Sequence, residues 1–215
     1  MSGTCITAVL FDFGGVILSS PFEAFAHHER EHGLPEGFIR RLNATNPDAN
    51  AWALLERSEV DLDGFAELFE AEAATAGHRI DARAILGLLG GEVRPEMVEA
   101  LRRIRAAGLP LALLTNNFVS GPGGATAGSR PDIAEALALF DHVIESSVAG
   151  VRKPDPAAYD LVLDRLDVPA HEVVFLDDLG VNLKPARALG MTTIKVLDAD
   201  QALTELEAVL GFPLR

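Results

Sequence analysis

The sequence reads as an α/β protein: a parallel sheet whose strands alternate with helices, broken after its first strand by an all-helical insertion. Three observations predict this. Short apolar runs between turn residues recur as strand candidates, and beyond about residue 92 amphipathic helices separate them. Between about residues 19 and 91 there is helical periodicity and no convincing strand. Four strand candidates end on, or lead into, a residue suited to chemistry, which is where open parallel sheets bind ligands.

The first strand spans about Thr7 to Phe11 and is apolar from Ala8 on, as a strand buried on both faces must be. Asp12 follows, then Phe13-Gly14-Gly15-Val16-Ile17. Pro21 to His32 reads as a helix with Pro21 in its first turn, stopped by Gly33-Leu34-Pro35. Shorter helical pieces cover about Glu36 to Asn43 and Ala51 to Arg57. Asp61 is placed to cap a longer helix through Ala76, and a last one runs from Asp81 to Leu89 before Gly90-Gly91.

The alternating part then begins. Pro95 to Ala107 is a helix, Leu109 to Thr115 a strand, and Asn116 to Arg130 a glycine-rich stretch expected to be a mobile connector bordering the site. Helix Pro131 to Leu139, strand His142 to Glu145, helix Asp155 to Leu166, strand Val173 to Leu176, helix Leu183 to Leu189, strand Thr192 to Leu197 and helix Ala199 to Leu210 complete the order. Right-handed crossovers join such strands. The organisation expected is a core of residues 1–18 and 92–215 and a helical unit of residues 19–91 lying over the carboxyl ends of the strands.

At 215 residues with 48% hydrophobic and 23% charged, the chain has room and apolar surface for one such core plus its insertion. A net charge of -14 argues against nucleic acid and anionic membranes as partners, but leaves room for a small phosphate held by a local cation. The single cysteine, Cys5, excludes an intrachain disulfide and is expected to be a small buried or edge residue. No signal-peptide flank and no apolar run near the ~20 residues of a membrane span appear, so a soluble cytoplasmic protein is expected.

The four residues at strand ends are Asp12, Thr115, Lys153 and the pair Asp177-Asp178. Each alone is weak, since a lone Asp after a strand is usually a cap or turn residue. A parallel sheet brings all four to one crevice. Three neighbouring carboxylates repel and need a cation, and oxygen ligation favours Mg²⁺. That combination suggests phosphoryl transfer, with a carboxylate nucleophile splitting hydrolysis into two steps. The Thr115 hydroxyl and the Asn116 backbone amide are suited to phosphate oxygens, and Lys153 to neutralising charge. Gly14 leaves its carbonyl open to a metal, and Gly14-Gly15 permit close approach of backbone and substrate.

At these residues the sequence resembles the haloacid dehalogenase superfamily. The resemblance rests on Phe11-Asp12-Phe13-Gly14-Gly15-Val16, Leu114-Thr115-Asn116-Asn117, Val151-Arg152-Lys153-Pro154-Asp155-Pro156 and Phe175 through Arg187. The last stretch looks like the N-terminal phosphatase domain of soluble epoxide hydrolases and the related domain fused to some acyl-CoA dehydrogenases. The resemblance implies a doubly wound core with a helical cap. It implies Asp12 as nucleophile, Thr115, Asn116 and Lys153 at the phosphate, and Asp12, the Gly14 carbonyl and Asp178 as metal ligands, with Asp177 and Asn182 in support. The implied activity is Mg²⁺-dependent hydrolysis of a small phosphorylated metabolite. One position departs: the family normally has a second Asp two residues after the nucleophile, to protonate the leaving oxygen and later activate water, and here that residue is Gly14. Slow turnover, an activated leaving group or another proton source is therefore expected.

Competing readings are a 2-haloacid dehalogenase using the same Asp without metal, and a phosphate-binding module without catalysis. A response-regulator receiver is disfavoured, because its acidic pair belongs on the first strand. His28 and His32 read as solvated polar residues rather than a metal pair, and His27 or His28 as exposed rather than a proton source. Phe22, Phe25, Phe65, Phe69 and Trp52 read as packing of the insertion. Asp61-Leu62-Asp63-Gly64 reads as a helix start rather than a calcium loop. Arg152 reads as a surface charge.

Overall fold

A computed structural model describes residues 5–117 and 130–215. Five strands form one fully parallel sheet: β1 (Ala8–Phe11), β2 (Leu111–Thr115), β3 (His142–Glu145), β4 (Val173–Asp177) and β5 (Thr192–Lys195), in the order β3-β2-β1-β4-β5. β1 is central, with Leu10 opposite Ala112 on one side and Phe175 on the other. Side chains alternate across the sheet. Val9, Phe11, Leu111, Leu113, Val174 and Leu176 face one apolar cluster, while Ala8, Leu10, Ala112, Leu114, Val173 and Phe175 face another. Helices α6 (Pro95–Ala106), α7 (Pro131–Leu137) and α11 (Ala199–Leu210) cover the first face. Helices α9 (Pro156–Leu166) and α10 (Gly180–Ala188) cover the second. The sheet is therefore doubly wound.

Between β1 and α6 lie five helices: α1 (Pro21–Glu31), α2 (Phe38–Ala44), α3 (Ala51–Glu56), α4 (Leu62–Thr75) and α5 (Ala82–Gly87). Their caps are legible in the sequence. Pro21 opens α1, the Asp61 carboxylate accepts the Gly64 N–H at 2.8 Å to start α4, and Asp81 accepts from Arg83 and Ala84 to start α5. These helices bury their own cluster around Phe25, Phe38, Trp52, Phe65, Phe69 and Ile85. Phe65 and Phe69 stack at 5.1 Å and Trp52 meets both edge-on. Phe22 packs at the margin of this cluster and is only partly buried. The two connections to the sheet pair antiparallel at Leu18 and Val93, with Ser19 N–H on the Glu92 carbonyl and Arg94 N–H on that of Ile17.

Several boundaries differ from expectation. α10 begins at Gly180 rather than Leu183, because Asn182 and Leu183 already donate to the Leu179 carbonyl; this puts Asn182 in the first turn. A short helix α8 (Ser146–Ala149) follows β3 directly and a 3₁₀ turn spans Ala170–Glu172; neither was expected. β2 starts two residues later than expected, at Leu111, and β5 stops at Lys195. Cys5, expected to be a small buried or edge residue, is exposed. His28 is buried, not solvated, with its ring stacked on His32 at 4.0 Å. The connector expected over Asn116 to Arg130 lies, for residues 118–129, outside the described residues. Among the described residues no helix is long and apolar enough to cross a membrane.

Candidate active site

The sheet order decides what meets. β1 lies between β2 and β4, so residues at the carboxyl ends of these three strands are side by side. Asp12 leaves β1 with its N–H still on the Leu176 carbonyl at 2.9 Å. Thr115 is the last residue of β2 and Asp177 the last of β4. Lys153 reaches in from the loop after α8, and its ammonium is 2.8 Å from Asp12 Oδ1 and 2.7 Å from Asp177 Oδ2. All four side chains are buried, and Lys153 is only 1% exposed.

Charge dominates this crevice. Carboxylate oxygens of Asp12, Asp177 and Asp178 lie within 4.8 Å of one another, with one ammonium among them. Burial raises the Asp12 carboxyl well above its usual range; Lys153 opposes that and Asp177 adds to it. Burial alone would lower Lys153, but the carboxylates of Asp12 and Asp177 outweigh it and hold the ammonium above its usual range. Asp178 is pushed up to about 6, by burial first and by Asp177 second. The group thus carries more negative charge than Lys153 offsets, which is what a divalent cation would neutralise.

The three carboxylates are not equivalent. Asp177 accepts from the Leu179 N–H at 2.7 Å, from Asn182 Nδ2 at 3.0 and 3.1 Å and from Lys153, so both its oxygens are committed to the protein. Asn182 is itself held, its carbonyl accepting the Tyr159 hydroxyl at 2.6 Å. Asp12 Oδ1 accepts the Phe13 N–H at 2.6 Å and the Lys153 ammonium. Asp178 is bonded to its own backbone N–H and rests against Gly15. A Cβ on Gly15 would sit 2.4 Å from Asp178 Oδ2, and φ there is +76°, so glycine is required twice over. Gly14 has neither constraint: it is exposed, with nothing within 4 Å of where a Cβ would stand. Close approach is therefore a property of Gly15 rather than of both glycines.

Asn116 does more than its position suggested. Its side-chain amide accepts the Lys153 N–H and donates to the Lys153 carbonyl, both at 2.9 Å, and so fixes that residue's backbone. Next to it, Asn117 N–H donates to Ser146 Oγ at 3.0 Å, tying the end of β2 to the start of α8.

A model of haloacid dehalogenase-like hydrolases matches residues 6–190. The chain belongs to that family. Acyl-CoA dehydrogenase family member 10 of Mus musculus is 37% identical over 99% of this chain, but the match takes in only 20% of that protein. Bifunctional epoxide hydrolase 2 of Sus scrofa is 34% identical over 97% of this chain and 40% of that protein. The chain thus spans about a fifth to two fifths of the length of these relatives. A phosphatase of Mycobacterium tuberculosis is 30% identical over 86% of this chain and 85% of its own length. Among solved structures, L-2-haloacid dehalogenase from Xanthobacter autotrophicus shares the fold, with a TM-score of 0.57 and 22% identity over 94% of this chain and 82% of that one.

In this haloacid dehalogenase-like hydrolase the helical insertion also reaches the crevice. Arg152, expected to be a surface charge, has its Nε 2.5 Å from Glu56 Oε2 and donates through Nη1 to the Pro47 carbonyl at 2.8 Å. Both side chains are largely buried. Arg40 stacks on Phe22 at 4.9 Å, and its charge acts on Asp178. No periodicity or motif marks Glu56 or Arg40; only the docking of the insertion shows them. The Asn116 side chain and Gly15 were within the motifs, but their partners were not.

Proposed function

We propose that this chain is a Mg²⁺-dependent phosphatase of a small phosphate monoester, with Asp12 as the nucleophile and residues 19–91 as its cap. The observation that carries the proposal is the cluster of Asp12, Asp177 and Asp178 around one buried ammonium. The donor set fits a hard cation: all ligands are oxygens, and Asp178 is a carboxylate that the charges of Lys153 and Arg40 do not hold down, since burial and Asp177 push it up to about 6. Asp12, the Gly14 carbonyl and Asp178 would hold the ion, with Asp177 and Asn182 orienting the neighbourhood. When bound, it supplies positive charge to the phosphoryl group.

The protein's own residues do the rest. Lys153 spreads its charge over Asp12 and the incoming phosphate, while Asp177 and Asn116 hold it in place. The Thr115 hydroxyl and the Asn116 backbone N–H serve the phosphate oxygens. Asp12, with Oδ1 anchored by Phe13 N–H and Lys153, attacks phosphorus through its carboxylate; the ester oxygen leaves, and water then hydrolyses the aspartyl-phosphate. With Gly14 in place of an acid, no side chain there protonates the leaving oxygen or activates that water. Activated esters should therefore react far faster than alkyl phosphates, and the second step should lag.

The acidic character of the chain, at -14, supports a small phosphorylated metabolite over a nucleic acid or an anionic membrane. Reaction in the cytoplasm is part of the same proposal. The missing acid supports a second reading, a phosphate-binding module without turnover. The test is release of phosphate from p-nitrophenyl phosphate and a panel of alkyl phosphates, with and without Mg²⁺, using Asp12→Asn as the blank. Mg²⁺-dependent release lost in the blank supports the phosphatase. Mg²⁺-dependent phosphate binding without release supports the module. Halide release from a 2-haloacid without Mg²⁺ would replace both with a dehalogenase.

A further inference from the structure

The insertion contributes a buried carboxylate at the seam, and its partner is the residue beside Lys153. Glu56 is the last residue of α3, where the helix dipole disfavours negative charge, and it is removed from water as well. Nothing in α3 itself gains from a charge there. It meets Arg152, whose Nε lies 2.5 Å from Glu56 Oε2, as an ion pair off the hydrogen-bonding axis, and whose Nη1 donates to Pro47 of the same insertion; Glu56 also hydrogen-bonds the Asn116 side chain and feels the Lys153 charge. Lys153, next in sequence, is held from the core at its N–H, its carbonyl and its ammonium. This short loop is therefore pinned from two sides, by the insertion through Arg152 and by the crevice through Lys153.

The rest of the seam there is thin. Ser58 Oγ donates to the Ser147 carbonyl at 2.9 Å. Beside it a cleft of about 530 Å³ opens between Asp48 and Arg57 of the insertion and the core loop from Gly150 to Pro156. Among the described residues, the contacts that cross this edge include the buried pair and the Glu56–Asn116 and Ser58–Ser147 hydrogen bonds, and of these the pair is the charged one. Such a pair adds little net stability but is costly to separate or to halve, which suits a contact that is either made or broken.

We infer that Arg152 is a positioning residue: held by Glu56 and the Pro47 carbonyl, it makes the docking of α3 a condition for presenting the Lys153 ammonium to Asp12. The inference rests on the phosphatase reading for its kinetic arm only. Arg152 does not touch the reacting atoms; it acts through the backbone it shares with Lys153.

The test compares Glu56→Gln, Arg152→Met and Arg152→Lys in the full chain, by amide hydrogen exchange and by Mg²⁺-supported hydrolysis of p-nitrophenyl phosphate. Glu56→Gln and Arg152→Met should each lower protection in residues 51–57 and in residues 152–155 together, by about tenfold or more. Both should lower kcat by about tenfold with KM changed less than about threefold, and Arg152→Lys should recover part of each loss. Loosening of 51–57 with residues 152–155 and kcat unchanged would overturn the inference, since Arg152 would then be a clamp only. If the wild type shows no turnover, the phosphatase reading fails while the paired exchange result still decides the coupling. Should either single variant unfold, the double variant Glu56→Gln/Arg152→Met removes the uncompensated charge; wild-type protection of both segments there would equally overturn the inference.

Discussion

The carboxyl edge of the sheet and the helical insertion are built by different rules. At the sheet edge, polar side chains are buried and fixed across the chain: Lys153 by Asp12 and Asp177, and the Lys153 backbone by Asn116. In the insertion the buried side chains are mostly apolar and are held by shape, with Phe65, Phe69 and Trp52 at the centre. The first region accepts electrostatic strain in exchange for chemistry. The second has the ordinary economy of a small hydrophobic core, and its chemical contributions, Glu56 and Arg40, lie on its margin. Stability and activity should therefore respond to substitutions in opposite proportions in the two regions.

The largest contrast should come from a pair of substitutions. Lys153→Met leaves two buried carboxylates facing each other, and should cost about 3–5 kcal/mol and abolish turnover. Phe65→Ala should cost a similar amount, about 3–5 kcal/mol, by opening a cavity in the insertion, while residual activity follows the folded fraction. Denaturant unfolding beside activity per folded molecule separates them. Equal specific activities would erase the distinction.

A smaller effect has the opposite sign. Asp178 sits at about 6 in the folded protein against an ordinary 3.8, so the folded state binds its proton more tightly than the unfolded chain. Its contribution favours folding below about pH 4 and is lost as pH rises through about 6. In the metal-free protein Asp178→Asn should then raise stability at pH 7–8 by up to about 3 kcal/mol, while removing the stabilisation that Mg²⁺ gives the wild type. Thermal melts with and without Mg²⁺ at pH 5 and pH 8 check both statements. Destabilisation by Asp178→Asn at pH 8 would contradict them.

Gly14→Asp should change stability least. The space around Gly14 is open, so the fold should tolerate the side chain within about 0.5 kcal/mol. Hydrolysis of alkyl phosphates should rise by about a hundredfold, the low end of general acid–base help. A folded variant with no gain would show that the missing acid is not what limits this site.

Much of the core's contribution was legible because strand ends are fixed by the alternation of apolar runs. Asp12, Thr115 and Asp177 had to share one edge once the sheet was parallel and β1 central. The acidic pair and Lys153 came with the motifs. What stayed hidden depended on contacts between distant segments. The need for glycine at position 15 comes from the Asp178 carboxylate lying against it. The Asn116 side chain grips a backbone 37 residues away. Arg152 looked like a surface charge because nothing in its own stretch reveals Glu56 of the insertion. His28 looked solvated because its helix pattern shows neither its burial nor its stacking on His32. α10 begins early because the Leu179 carbonyl collects donors that no cap residue announces.

The central claim is that the Asp12 carboxylate attacks phosphorus, and pre-steady-state mixing with p-nitrophenyl phosphate and Mg²⁺ tests it most directly. Because Gly14 leaves the hydrolytic step unaided, the account predicts a burst of nitrophenol close to one equivalent per protein. Borohydride applied during the slow phase should then convert Asp12, and no other acidic residue, to homoserine. Mg²⁺-dependent turnover with no burst, no reducible adduct at Asp12 and undiminished activity in Asp12→Asn would contradict it.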